Sequence, residues 1–165
     1  MEAAAWGLFG TLVGAASSIG TAWLSHHNTY KIQNAKQADE RAERANEFQR
    51  ETLLELQEAI HDTLRLCSRA HFEDVENFRR TGEWGREKLS EEVNEGIRLS
   101  RRRVAILVER ISDDSLRSDV KSLMQLSTQE ALSRSEREAE IAQQRLFSQV
   151  GPVLENLGTV LRSHY

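Results

Sequence analysis

The chain has one cysteine, Cys67, and one proline, Pro152, and aromatic residues make up only 6% of it. A single thiol excludes an internal disulfide and a cysteine-rich zinc framework. No proline-rich or Gly/Ser stretch divides the chain, so nothing reads as a flexible linker between domains. Runs of β-branched residues are also scarce, while Ala, Leu, Glu, Arg and Gln are abundant, which favours helix. The formal net charge of −4 removes any general electrostatic case for binding nucleic acid. Histidine is missing from residues 72–163, so a Ser/His or Cys/His pair would have to draw on the first half or on His164. There is no dinucleotide fingerprint, P-loop, HExxH or nucleophile elbow.

The most consequential absence is charge near the start. From Ala3 to Ser25, a run of 23 residues, no side chain is charged. A helix needs about 20 mainly apolar residues to cross a bilayer. Trp6 and Trp23 sit near the two ends. Their separation corresponds to about 25 Å of helix at about 1.5 Å rise per residue. That nearly spans a hydrocarbon core of about 30 Å, so both rings suit the interfacial zones that Trp prefers. A signal peptide would want a positive start, but Glu2 is the only charge ahead of the run and Lys31 is the first lysine. A buried core helix is the stronger rival, because Ala and Gly contribute little to insertion. Leu8, Phe9, Leu12, Val13, Ile19 and Leu24 supply most of the hydrophobicity. The expectation is a transmembrane helix over residues 3–25.

Its flanks set the orientation. Lys31, Lys36, Arg41 and Arg44 follow the run, with His26 and His27 at its edge. The positive-inside rule then places the N-terminus outside and the rest of the chain on the cytosolic face of the inner (plasma) membrane. The run also carries a seam of small residues. Ala3, Gly7, Gly10, Gly14, Ser17 and Thr21 recur at alternating spacings of four and three. Small residues let two backbones approach closely, which drives helix association in lipid. The span is therefore expected to self-associate.

Beyond the run there is neither Gly nor Pro between Thr21 and Arg80, so the helix is expected to continue. Residues 26–52 read as a charged juxtamembrane helix whose apolar content is mainly Ala35, Ala38, Ala42 and Ala45. Such a helix is either a solvated stalk or a thin coiled-coil seam. Residues 53–165 read as a cytosolic helical bundle. Leu53, Leu56, Ile60, Leu64, Cys67, His71, Val75 and Phe78 form a first apolar stripe. Gly82 and Gly85 break it. Ser90 with Glu91 and Glu92 looks like a helix start, followed by Val93, Ile97, Ser100, Val104, Val108 and Ile111 on one face. Ser112-Asp113-Asp114 signals another start, with Leu116, Val120, Leu123 and Met124 inward. The pattern weakens near Ser133-Arg134-Ser135, so residues 114–163 read as one helix or two. A last stripe runs Ala139, Ala142, Leu146, Val150, Val153, Leu157 and Leu161, in register across Pro152, which predicts a kink and no reversal.

Candidate chemistry is sparse. Glu58-x-x-His61 matches half of a carboxylate-bridged di-iron signature, and no second copy exists. Cys67 and His71 stand one turn apart near Glu73 and Asp74, too few thiols and imidazoles for a zinc site. No metal and no cofactor is expected. Arg98, Arg101, Arg102 and Arg103 form the densest basic patch, suited to an acidic protein or to anionic lipid headgroups. The plainer reading is a solvated face balanced by Glu95, Glu109 and Asp114. Trp84, flanked by glycines, is either an exposed anchor for a partner or a cap on the bundle.

The fold expected is all-α: a single N-terminal transmembrane helix continuing into a long helix, then an antiparallel three- or four-helix bundle or coiled-coil domain. The function expected is non-enzymatic. The span makes a homo-oligomer and the cytosolic domain recruits a protein partner. One alternative is a membrane-perturbing, holin-like or abortive-infection effector, and another is a soluble helical interaction protein with a docking N-terminal helix. Small-residue-rich spans of this kind occur in many unrelated bacterial and phage membrane proteins.

Overall fold

The structure is a computed structural model that describes the backbone from Glu2 to Tyr165 and the side chains of Trp23 and of residues 29–165. The described residues form four helices and no strand: α1 (Glu2–Thr81), α2 (Glu91–Val108), α3 (Asp114–Ala131) and α4 (Glu136–Arg162). They divide into two compact units, Met1–Ala45 and Asn46–Tyr165.

In the first unit every position from Thr29 to Ala45 is exposed, the alanine stripe included. An Arg44–Glu40 pair at 3.4 Å lies one turn apart on its surface. Exposed pairs of this kind add only about 0.3–0.5 kcal/mol to a helix. Among the described residues, no helix is long and apolar enough to cross a membrane. The run over residues 3–25 lies outside the described side chains, apart from Trp23, which is exposed. Trp6 and the seam of Ala3, Gly7, Gly10, Gly14, Ser17 and Thr21 lie outside them too.

The second unit shows why its helices start and stop where they do. α1 ends at Gly82, whose φ of +72° is the left-handed conformation a helix C-terminus favours, and its N–H reaches the Phe78 carbonyl at 2.8 Å. Ser90 caps α2 by accepting from the Val93 N–H. Glu73 of α1 accepts from both the Ser90 N–H and hydroxyl at 2.9 Å, so a neighbouring helix supplies the acid that usually comes from the capped helix itself. Asp113 caps α3 through the Leu116 N–H at 2.7 Å. Ser135 caps α4 through the Glu138 N–H, while Glu138 accepts from the Arg134 N–H. The weak stretch at residues 133–135 is therefore a helix break, and residues 114–163 hold two helices. α4 passes through Pro152 without reversal.

Side-chain ties fix the topology. Gln49 donates to the Arg110 carbonyl and accepts from the Ser112 N–H, so the start of this unit's α1 meets the α2–α3 turn. At the other end Arg69 pairs with Glu92 at the start of α2. Lys121 of α3 meets Glu109 after α2, and Asn156 of α4 donates to Asp119 of α3 at 2.7 Å. Arg50 donates to the His164 carbonyl at 2.6 Å, which returns the end of the chain to the Gln49 end. Each helix is thus antiparallel to the next, an up-down-up-down four-helix bundle with short connections.

Its core takes Leu53, Leu56, Ile60 and Leu64 from α1, and Val104, Leu107 and Val108 from α2. Leu116, Val120 and Leu123 come from α3, and Leu146, Val153 and Leu157 from α4. All but Leu107 belong to the stripes read from the sequence. Burying each large aliphatic side chain contributes about 1.5–3 kcal/mol relative to exposure. α1 buries a broader face than one stripe, adding Thr52, Ala59 and Thr63. Thr63 is tolerated because its hydroxyl donates to the Ala59 carbonyl at 2.8 Å.

Candidate functional site

The apolar stripe of α3 runs Leu116, Val120, Leu123 and then continues, at the same four-three spacing, to Ser127 and Glu130. Helical geometry therefore carries a hydroxyl and a carboxyl into the interior near the end of α3. Both residues are buried. The stripe of α1 does the same after Leu64, bringing Cys67, His71 and, one turn on, Asp74 to the same end. α2 adds Arg101, and the α1–α2 connection adds Trp84. These side chains line a partly open cavity of about 50 Å³. One water needs about 10–15 Å³ and two to four polar partners, so the cavity is roomy and polar enough for a small water cluster.

The contacts are uneven. Arg101 donates through Nη2 to the Ser127 carbonyl at 2.8 Å and to its hydroxyl at 3.3 Å. Its Nε is buried without a partner. Only 6% of the Glu130 side chain is exposed, and its Oε1 accepts no hydrogen bond. The His71 ring Nδ1 lies 3.6 Å away, beyond a hydrogen bond. Trp84 closes the end. Its ring centroid is 6.2 Å from His71 and 5.9 Å from Phe78, and its indole N–H donates to the Ser133 carbonyl at 3.2 Å.

Burial is what shifts the acids here. It pushes the Glu130 carboxyl up to about 7, with the nearby Arg101 charge pulling down and Asp74 adding to the rise. Burial also raises Cys67, helped by the Glu130 charge, and the two hydrogen-bonding neighbours Arg101 and Ser127 only partly offset it. A thiol raised this way stays protonated and is a poor nucleophile and a poor metal ligand. Asp74 is raised by burial first, against the opposing pull of His71. Among the described residues, no group of three His, Cys, Asp or Glu side chains is arranged to hold a metal ion. The Arg101 guanidinium in the cavity wall would also repel a cation. Glu58 and His61 are both exposed on α1.

The basic patch read from the sequence is not one surface. Arg98 is exposed and bonded to Glu95. Arg101 turns inward to Ser127. Arg102 is exposed, and so is Arg103, which approaches Glu58 at 3.6 Å. Trp84 is half-buried, with its N–H on the Ser133 carbonyl and its ring beside His71 and Phe78. Sequence reasoning missed Ser127, Glu130 and the inward turn of Arg101. The signal for the first two was present: extending the α3 stripe by two steps lands on polar residues.

Compared with models of known protein families, with curated proteins and with solved structures, the chain matches none. Function must therefore be argued from the residues themselves.

Proposed function

We propose that this chain is a non-enzymatic, membrane-anchored interaction protein. Residues 3–25 cross the inner membrane and self-associate through the small-residue seam. The four-helix bundle stands on the cytosolic side and recruits a protein partner. The observation that carries the reading is the uncharged run of 23 residues with a tryptophan near each end and basic residues after it.

The outer face of α2 supports the recruiting role. Leu99 and Ile106 are one heptad apart and remain 50% and 47% exposed. At 100° per residue, Arg102 and Arg103 fall within about 60° of them, on the side away from the buried stripe. An apolar ridge flanked by guanidinium groups suits an amphipathic helix whose apolar face is bordered by carboxylates. Arg102 and Arg103 were singled out in the sequence, and the exposed Leu99 and Ile106 give them an apolar core to flank.

Amine-reactive crosslinking of the full chain in isolated membranes tests the reading. Crosslinked oligomers are expected in the membrane fraction, and their yield should fall several-fold in a Gly10→Leu/Gly14→Leu variant. A monomer at high membrane density, or oligomers insensitive to both substitutions, would contradict it.

A further inference from the structure

We propose that a second copy of this chain occupies the outer face formed by α1 and α2, so that two bundles pair about a two-fold axis parallel to their helices. The inference rests on the reading of the outer face of α2 as a docking surface and is independent of the membrane span.

The kind of helix that suits α2 is present in the chain itself. On α1, Leu54 is 48% exposed. At 100° per residue, Glu47, Glu51 and Glu58 lie within about 60° of it, and all three are exposed. Glu51, Glu55, Glu58 and Asp62 recur at spacings of four, three and four, which makes an acidic row on the side of α1 that faces α2. Like charges at these spacings oppose a helix unless cations meet them. Within the chain Glu58 faces Arg103 at 3.6 Å and Asp62 faces Arg65 at 3.2 Å. Among the described residues Glu47, Glu51 and Glu55 have no ion-pair partner, and neither has Arg102 on α2.

α1 and α2 run antiparallel, and three ties fix their register: Gln49 on the Ser112 N–H, Glu58 beside Arg103, and Arg69 on Glu92. Leu54 is therefore level with Ile106, and Asp62 is level with Leu99. A two-fold axis parallel to the helices leaves every residue at its own height and sets α1 of one copy against α2 of the other. Leu54 then meets Ile106 of the second copy. The row of Glu51, Glu55 and Glu58 meets Arg102 and Arg103 of the second copy. Toward the other end the signs reverse on both helices: α1 carries Arg65 and Arg69, and α2 carries Glu91, Glu92 and Glu95. The same rotation matches these charges as well. A sign change made in step along two neighbouring helices renders the face complementary to itself, whereas a face of one sign would call for a different partner. Half-exposed Leu54, Leu99 and Ile106 supply the apolar centre, and the charges supply the rim.

The test is a charge-reversal exchange in the full chain in non-ionic detergent at low salt, with Gly10→Leu/Gly14→Leu in every sample to remove the small-residue seam. Light scattering reads the protein mass. The parent should have twice the chain mass at about 100 μM, and about 0.5 M salt should weaken the association several-fold. Glu51→Lys/Glu55→Lys/Glu58→Lys leaves both helices basic around the centre, and Arg102→Glu/Arg103→Glu leaves both acidic. Each variant alone should be monomeric with unchanged far-UV circular dichroism. Mixed in equal amounts, they should restore the dimer, because each then offers the other the opposite sign on both helices. A monomeric parent would overturn the second copy as occupant and leave the α2 face to a different protein. A dimer that survives in either variant alone would place the contact elsewhere in the chain, and would overturn the inference too. So would a mixture that stays monomeric.

Discussion

Replacing Glu130 by Gln should change how stability depends on pH more than it changes stability itself. In the folded bundle the Glu130 carboxyl holds its proton up to about pH 7, against an ordinary value of 4.5. Between those two values the folded state binds more protons than the unfolded chain. The stabilising contribution is therefore complete below about pH 4.5 and is lost as pH rises through about 7. At about 1.4 kcal/mol for each pH unit of difference, the upper limit is about 3.5 kcal/mol. Water entry and side-chain relaxation reduce it, so about 1–3 kcal/mol is the working range. Gln mimics the neutral acid, so the variant and the parent should differ little at about pH 5 and diverge at about pH 8 in favour of the variant. The assay is urea unfolding of the full chain in non-ionic detergent, followed by far-UV circular dichroism at both pH values. Comparing the two pH values cancels any packing difference between Glu and Gln. Any slope left in the variant has the sign expected of Asp74, which burial also raises. A Gln–Glu difference that is the same at both pH values would refute the reasoning.

Two further predictions concern the bundle. Leu123 is fully buried in the core, so Leu123→Ala should destabilise by about 2–5 kcal/mol, read as a lower urea midpoint at unchanged slope. Ser90→Ala removes the α2 cap and the hydroxyl bond to Glu73, and should cost about 1–2 kcal/mol; faster amide exchange in the first turn of α2 checks it.

Much of the bundle was legible because its apolar stripes keep helical period without interruption. Leu53 to Leu64 and Leu146 to Leu157 read as core positions and are core positions. The caps at Ser90 and Asp113 were equally plain, since a side-chain oxygen ahead of an apolar stripe has few other uses. The break before α4 was harder. Ser127 and Glu130 occupy the inward line of α3, so the periodic signal fades a turn before the helix ends. Its stop is visible only in the Ser135 cap and the Glu138 return bond. The polar cluster was obscured by the assumption that charged residues on a helix face solvent. Arg101 sits among three other arginines in sequence, and only its bond to Ser127 on another helix distinguishes it. Trp84 posed a question of burial, which depends on where α3 ends and Ser133 lies, and so no local pattern could answer it. The alanine stripe of residues 35–45 is exposed.

The central claim is that residues 3–25 anchor a folded helical bundle to a membrane. Alkaline carbonate extraction of membranes, comparing the full chain with one that starts at His27, tests it most directly. The account predicts that the full chain stays with the membrane pellet while the shortened chain is released as a folded helical protein. Release of both chains by carbonate would contradict it, and would make the uncharged run a helix that packs on protein.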